Sequence, residues 1–214
     1  MVIISLIGIL YLFVKFYDYT SEKKRVRVNY SLSKEEIAQL QDGDIILRHG
    51  YGFVSDMITK KLSDGTNVSH CAIFVKDDTS MNVIHSVSQS LSNFDGVQMQ
   101  DLKRFINDSK KNSVVVVRYK TKENEDRSLI GKRARYYLNK RIPFDNSFDI
   151  KDSTKFFCAE FIWKVLKDSY NIDIFEDKYG KDNSEFLKFD IFFNPKYFEV
   201  VFSHQKQEIL KYKE

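Results

Sequence analysis

Proline is nearly missing from this chain: 214 residues hold two prolines and only eight glycines. So little of either leaves no room for a long flexible or polyproline linker. Two cysteines, Cys71 and Cys158, are too few for a disulfide-rich scaffold. One bridge between them is the most that an oxidising compartment could form, and it would consume both thiols. There is no CxxC or HExxH spacing, so zinc is not expected. There is no GxGxxG or phosphate-loop sequence either, so no nucleotide is expected, and no cofactor of any kind. Charge of one sign is also lacking. The 34 basic and 30 acidic residues leave a formal +4. They are interleaved, as in Lys122, Glu123, Glu125, Asp126 and Arg127, which is the pattern of a solvated surface and not of a nucleic-acid interface.

What is present is apolar material. Hydrophobic residues make up 43% and aromatics 14%, enough to rule out a largely disordered chain. About 190 residues remain after the N-terminal segment is set aside, the size of one ordinary domain. That division places a membrane anchor or signal segment at residues 1–25 and a single domain at residues 26–214. Residues 2–14 read VIISLIGILYLFV, uncharged and apolar. The run is short for a span, which needs about 20 apolar residues. Lys15 can snorkel, and Tyr11, Phe16, Tyr17 and Tyr19 suit a membrane interface. No small-residue cleavage site follows, so an uncleaved transmembrane anchor is the favoured expectation. Lys23, Lys24, Arg25 and Arg27 would hold the domain on the cytoplasmic side by the positive-inside rule. The side of the membrane stays open.

Ser33 followed by Glu36 is a capping-box pattern and predicts a short helix. The spacing of apolar residues predicts helices over 53–62, 101–106, 126–139 and 156–168. Strands are expected over 44–47, 68–75, 83–87, 113–119 and 198–203. Hairpin-like strands in the middle with helices outside them imply an α+β domain with a central antiparallel sheet flanked by helices.

Two of these elements could carry chemistry. Cys158 falls in the first turn of the helix over 156–168. Unpaired N–H groups and the helix dipole there favour a thiolate and could hold an oxyanion. A small buried residue on an apolar stripe explains the same position equally well. His70 lies within the apolar strand VSHCAIFV, where a polar ring needs a partner. In isolation it reads as a satisfied core histidine. Strand parity sends Cys71 to the opposite face from His70. If His70 serves a thiol, that thiol is therefore Cys158, and Cys71 is an ordinary core residue. His85, in the next strand, could sit beside His70 and orient it. His49 and His204 have no comparable setting.

Three segments in combination carry a resemblance. DGDIILR at 42–48, NVSHCAIFV at 67–75 and FFCAEFIWKVL at 156–166 resemble the YiiX-like group of NlpC-type cysteine hydrolases, and PFD at 143–145 resembles that group's approach to the nucleophile. The likeness covers roughly residues 40–170. It implies a circularly permuted papain-like fold, with the histidine early on a strand and the cysteine late at a helix start. It implies Cys158 as nucleophile, His70 as base and His85 as the third polar residue, a place where many relatives carry a carboxylate. Phe157 and Ala159 depart from the Tyr and Ser of the motif but leave thiol and imidazole intact. Asp44 and Glu160 are supporting candidates. The implied activity is hydrolysis of an amide or ester through a thioester. Candidate substrates are cell-envelope peptides or, as an alternative, membrane lipids handled by an acyltransferase or lipase. A catalytically inactive membrane-attached binding module is a reading of a different class. The same analogy favours the cell envelope as the location.

Overall fold

The computed structural model describes residues 2–63, 65–123, 125–176 and 188–206, and for residues 2–5 the backbone alone. Helix α1 (Val2–Arg27) and the short α2 (Lys34–Gln39) precede strand β1 (Ile45–Arg48). Helix α3 (Phe53–Leu62) leads to β2 (His70–Lys76), β3 (Met81–Val87) and β4 (Gly96–Asp101). Then come α4 (Leu102–Asn107), β5 (Val115–Tyr119), α5 (Ser128–Lys140) and α6 (Cys158–Tyr170). A 3-10 turn at Phe189–Phe193 precedes β6 (Phe198–Ser203). Among the described residues six strands form one antiparallel sheet in the order β4-β3-β2-β1-β5-β6. The structure is therefore α+β, as the element order implied.

The central strands are apolar on both sides because both faces are covered. Ile45, Leu47, Ile73, Val75, Val115 and Val117 pack against α5 and α6 through Ile130, Ala134, Phe161, Ile162 and Val165. Ile46, Ala72, Phe74, Val83 and Val116 pack on the opposite side against Leu102, Phe105 and Ile106 of α4. The capping box is present: Ser33 Oγ accepts from Glu36 N–H and Glu36 accepts from Ser33 N–H. Strand β4, GVQMQD, was not expected. It lacks a β-branched run and sits at the sheet edge, where only Gly96 and Val97 are buried. Its start is pressed against the chain that leads toward α6. Val97 N–H donates to Ile142 O at 2.8 Å, and a Cβ on Gly96 (φ +81°) would lie 2.1 Å from that same oxygen.

The boundary drawn at residue 25 falls in the last turn of α1, and the second half of that helix docks on the body. Phe53 N–H donates to Asp18 Oδ1 at 2.9 Å and Gly52 N–H to Ser21 Oγ at 2.9 Å. Tyr17 bonds Asp56, which also holds Lys110 and His49. Arg25 Nη1 reaches Asp108 Oδ1 at 2.6 Å. The first half of α1 is different: Leu6, Ile7, Ile9, Leu10 and Leu12 are all exposed. Even so, no helix among the described residues is long and apolar enough to cross a membrane, so the expected transmembrane span finds no support.

Asp44, offered as a supporting catalytic residue, has another task. It is fully buried and takes both oxygens to Arg118, at 2.7 and 2.8 Å, and to Gln41 N–H at 2.8 Å. It ties β1 to β5 and does not line the cleft described below. Removing one partner of a buried ion pair strands the other charge. Asp44→Ala should cost about 3 kcal/mol in urea unfolding, while the folded fraction keeps the wild-type rate of Cys158 alkylation. A slowed alkylation in folded protein would return Asp44 to the site.

Candidate active site

The site forms where the β2–β3 ladder stops. Its pairs run from Lys76↔Met81 to Ile73↔Ile84 and go no further. Phe74 N–H points toward β1, so by alternation along β2 Cys71 N–H points away from it, into the gap beside β3. The start of α6 fills that gap. Ser86 Oγ of β3 donates to Phe156 O at 2.5 Å. Phe156 N–H in turn donates to Pro143 O at 3.0 Å. Asp145, fully buried, accepts from Ser147 N–H at 2.9 Å and fixes the intervening loop. Cys158 is the first residue of α6, which begins two residues later than the expected helix over 156–168. Cys158 is half-buried and packs against the cluster that holds Cys71, beside the unpaired N–H groups that open α6.

These donors set the acidity of the pair. The Cys71 hydrogen bond, joined by the N–H groups, holds the Cys158 thiol below its ordinary range against the opposing effect of burial. Burial pushes the Cys71 thiol well up, and the neighbouring sulfur adds to that. Parity does turn Cys71 away from His70, as expected. It is fully buried in the apolar cluster between the sheet and α6, as a core residue should be.

His70 opens β2 and shares a face with Ala72, Phe74 and His85. His70 Nε2 and His85 Nδ1 are 2.7 Å apart, with ring planes at 73°. Both rings lie against Phe105 of α4. Arg48, paired across strands with His70, stacks its guanidinium 4.3 Å from the Phe105 centroid. Its Nη1 donates to Asp108 O at 2.7 Å. Desolvation lowers the pKa of both histidines and Arg48 lowers it further, well below 6.5 for His70 and to about 3 for His85. Both imidazoles are neutral at pH 7. Because Nε2 of His70 is taken, Nδ1 is the nitrogen left to serve a thiol. His85 Nε2 is buried without a hydrogen-bond partner among the described residues.

His70 and Cys158 meet in one cleft of about 330 Å³. Arg48, Arg104 and Asp108 give it a charged end, and Ile58, Leu62, Phe144 and Phe148 an apolar one. Glu22 and Arg25 bring α1 to its rim. Glu160 does not line it. Burial raises the Glu160 carboxyl to about 8, and Oε2 accepts from Phe157 N–H at 3.3 Å, which secures the turn carrying Cys158. His49 and His204 lie elsewhere, bonded to Asp56 and Glu36. Sequence reasoning missed Arg48 and Ser86. A charged residue closing the apolar strand DIILR was the available signal for Arg48; Ser86 gave none.

A family model described as permuted papain-like amidase enzyme, YaeF/YiiX, C92 family, matches residues 39–205. The chain belongs to this family. The fold is thus the permuted papain-like one, and the class is that of papain-like cysteine amidases. The crystal structure of the metalloprotein yiiX from Escherichia coli O157:H7 is similar, with a TM-score of 0.61 and 21% identity. The match covers 78% of this chain and 99% of that one, and at that identity it is a likeness of fold. No curated protein matches the chain. Although that neighbour is described as a metalloprotein, no group of three or more His, Cys, Asp or Glu among the described residues here could hold a metal ion. His70 and His85 spend one nitrogen each on one another. These residues do not fit a metal centre.

The arrangement predicts a pH profile. A base must be unprotonated, so turnover of an activated ester should fall only below pH 6.5, where His70 begins to charge. Arg48 disfavours imidazolium at His70. Arg48→Met should therefore raise the His70 pKa and move the acid limb of kcat/KM to higher pH. An unmoved or lowered limb would show that Arg48 does not act on the base.

Proposed function

We propose that this chain is a cysteine hydrolase that cleaves an amide bond through a thioester, with Cys158 as nucleophile and His70 as base. The observation that carries the reading is the cleft itself. It exposes a thiol of lowered pKa and a neutral imidazole whose far nitrogen is already engaged by His85. His70 Nδ1 takes the Cys158 proton, and the thiolate attacks the substrate carbonyl. N–H groups at the start of α6 hold the oxyanion, as helix N-termini favour negative charge. His70 then protonates the leaving amine, and in the second half it activates the water that opens the thioester. His85 Nδ1 accepts from His70 Nε2–H and keeps the ring in the tautomer that leaves Nδ1 free. A peptide-type amide is the substrate class that membership of an amidase family supports.

A lipid-linked acyl substrate is the second reading, and α1 favours it. The helix that shows Leu6 to Leu12 to solvent is the same one that borders the cleft with Glu22 and Arg25. Apolar residues exposed on this scale suit insertion into one leaflet, with Lys15, Lys23 and Lys24 near lipid headgroups. The cell-envelope location is a proposal on the same footing.

Labelling by a fluorophosphonate or thiol-reactive acyl probe tests the nucleophile. Cys158→Ala should abolish labelling, and His70→Ala should lower turnover by about a hundredfold or more. His85→Ala should cost less than His70→Ala, because it removes only the orientation of the base. Equal labelling of Cys158→Ala and wild type would end the proposal and leave a binding module. For the membrane, the chain should sediment with phosphatidylglycerol-containing vesicles, and Ile9→Glu with Leu12→Glu should release it. Unchanged sedimentation of that double variant would remove α1 from the lipid contact.

A further inference from the structure

The cleft has two ends of different chemistry, and the reacting pair stands between them. The apolar end belongs to the Cys158 side: Ile58, Leu62, Phe144 and Phe148 pack with Cys158 against the same core cluster. The Phe148 ring centroid is 5.3 Å from that of Phe157, the residue before the thiol. The charged end belongs to the His70 side. Arg48 is the cross-strand partner of His70, and paired residues of an antiparallel ladder present their side chains to one face. Both side chains meet Phe105 on that face.

Charge at this end does not cancel. Three guanidiniums, Arg25, Arg48 and Arg104, face two carboxylates, Glu22 and Asp108. Arg25 serves both acids: its Nε donates to Glu22 Oε2 at 2.8 Å and its Nη1 to Asp108 Oδ1 at 2.6 Å. Gln100 Nε2 donates to the other Asp108 oxygen at 2.8 Å. Arg48 is left with backbone carbonyls, Asp108 O at 2.7 Å and Phe105 O at 3.5 Å, both reached by Nη1. Its Nε is buried without a hydrogen-bond partner, and its Nη2 bonds nothing, among the described residues. Neither Arg48 nor Arg104 pairs with a carboxylate among those residues. A half-buried guanidinium without a counter-charge is costly, and an anion in the cleft is what would relieve it.

We propose that the substrate is an amide joining an apolar acyl group to an amino acid with a free carboxylate, and that Arg48 holds that carboxylate. This substrate rests on the hydrolase reading, because the two ends are told apart by where the acyl group and the amine must go. The acyl carbon becomes bonded to the Cys158 sulfur, so the acyl group belongs at the end that packs with Cys158. The C–N bond breaks as the S–C bond forms, and the leaving nitrogen takes its proton from His70. The amine therefore belongs at the end that holds His70 and Arg48. Water then opens the thioester; its hydroxyl stays on the acyl carbon and its other proton returns to sulfur through His70. The products are an apolar acid and a free amino acid. An excess of one positive charge matches a carboxylate better than a doubly charged phosphate. A cleft of about 330 Å³ is at the small end of ligand pockets and suits a medium-length acyl chain or one apolar residue. A fatty N-acyl amino acid and a peptide C-terminus share this chemistry.

The test compares octanoyl-glycine and acetyl-phenylalanyl-glycine, one for each source, with the same compounds ending in glycinamide. Binding is read by calorimetry on the full chain carrying Cys158→Ala, which cannot turn them over, and kcat/KM is read on wild type at pH 8. In at least one pair the acid should bind and react about tenfold or more better than the amide. Arg48→Gln should bring that ratio to about one. Any effect of Arg48 on His70 is shared by both members of a pair and cancels. Acetyl-glycine should bind about tenfold or more weakly than the preferred acid, having lost the apolar group. A ratio near one in both pairs, or no binding of either acid, overturns the inference without any Arg48 variant having to fold. So does an unchanged ratio in folded Arg48→Gln, equal binding of acetyl-glycine, or tighter binding of octanoyl-phosphoethanolamine. Acid-selective binding to Cys158→Ala without turnover by wild type would strike the hydrolase reading alone.

Discussion

Where the hydrogen bonds between β2 and β3 stop, the rest of the site begins. Paired as far as Ile73 and Ile84, the two strands leave a gap beside Cys71 and Ser86. A buried donor must find an acceptor. Phe156 O takes the Ser86 hydroxyl at 2.5 Å. The first turn of α6 is thus fixed by the needs of the sheet as much as by its own apolar stripe. That stripe, Phe161, Ile162, Val165 and Leu166, fixes the helix along its length but not where it begins. Had the ladder continued for two more residues, the thiol would lie over a closed sheet, and the histidines would be shut off on the other face.

That geometry also resolves the apparent conflict in parity. His70 faces α4 with Ala72 and Phe74, whereas Cys158 packs with the cluster on the α6 side. Two groups on opposite faces of a complete sheet could not share a substrate. His70, though, is the first residue of its strand, and Cys158 is the first residue of α6, whose start fills the gap where the β2–β3 ladder ends, so both stand at the sheet's end. One cleft wraps that end and takes in both. Alternation along β2 was legible in the sequence, and it correctly separated Cys71 from His70. Which residue of β2 is the last to be paired with β3 was not legible, because it depends on a segment far along the chain, Phe156 and the start of α6. The same limit explains why Arg48 did not stand out in the sequence.

The fold was more readable than the site because its signals are local. Alternating and continuous apolar runs marked five of the six strands, and 3.6-residue spacing marked the longer helices of the body. The exception, β4, is held in place by the turn at Gly96 and by Ile142 O, neither of which leaves an apolar pattern. Asp44 shows the opposite error. A buried acid beside a recognisable motif suggests chemistry, but burial of a charge is satisfied by any good partner, and Arg118 is one. Glu160 is intermediate: remote from the cleft, it still acts on the turn that carries the thiol.

Electrostatics then decides how such a site can work. In a thiolate–imidazolium pair the histidine must hold a proton at rest. Here burial, His85 and Arg48 all oppose that proton, and among the described residues no carboxylate bonds either ring to support it. The low acidity threshold of Cys158 has a different origin, the donors at the start of α6 and on Cys71. The two halves of the pair are therefore tuned separately: the sulfur by hydrogen bonds on one side of the sheet, the ring by desolvation and a guanidinium on the other. A neutral second histidine suits this division where a carboxylate would not. A carboxylate beside His70 would raise its pKa and stabilise imidazolium, whereas His85 fixes the ring's direction and leaves it uncharged. A neutral histidine beside His70 thus goes with the charge of Arg48 close by, and the two are parts of one electrostatic arrangement.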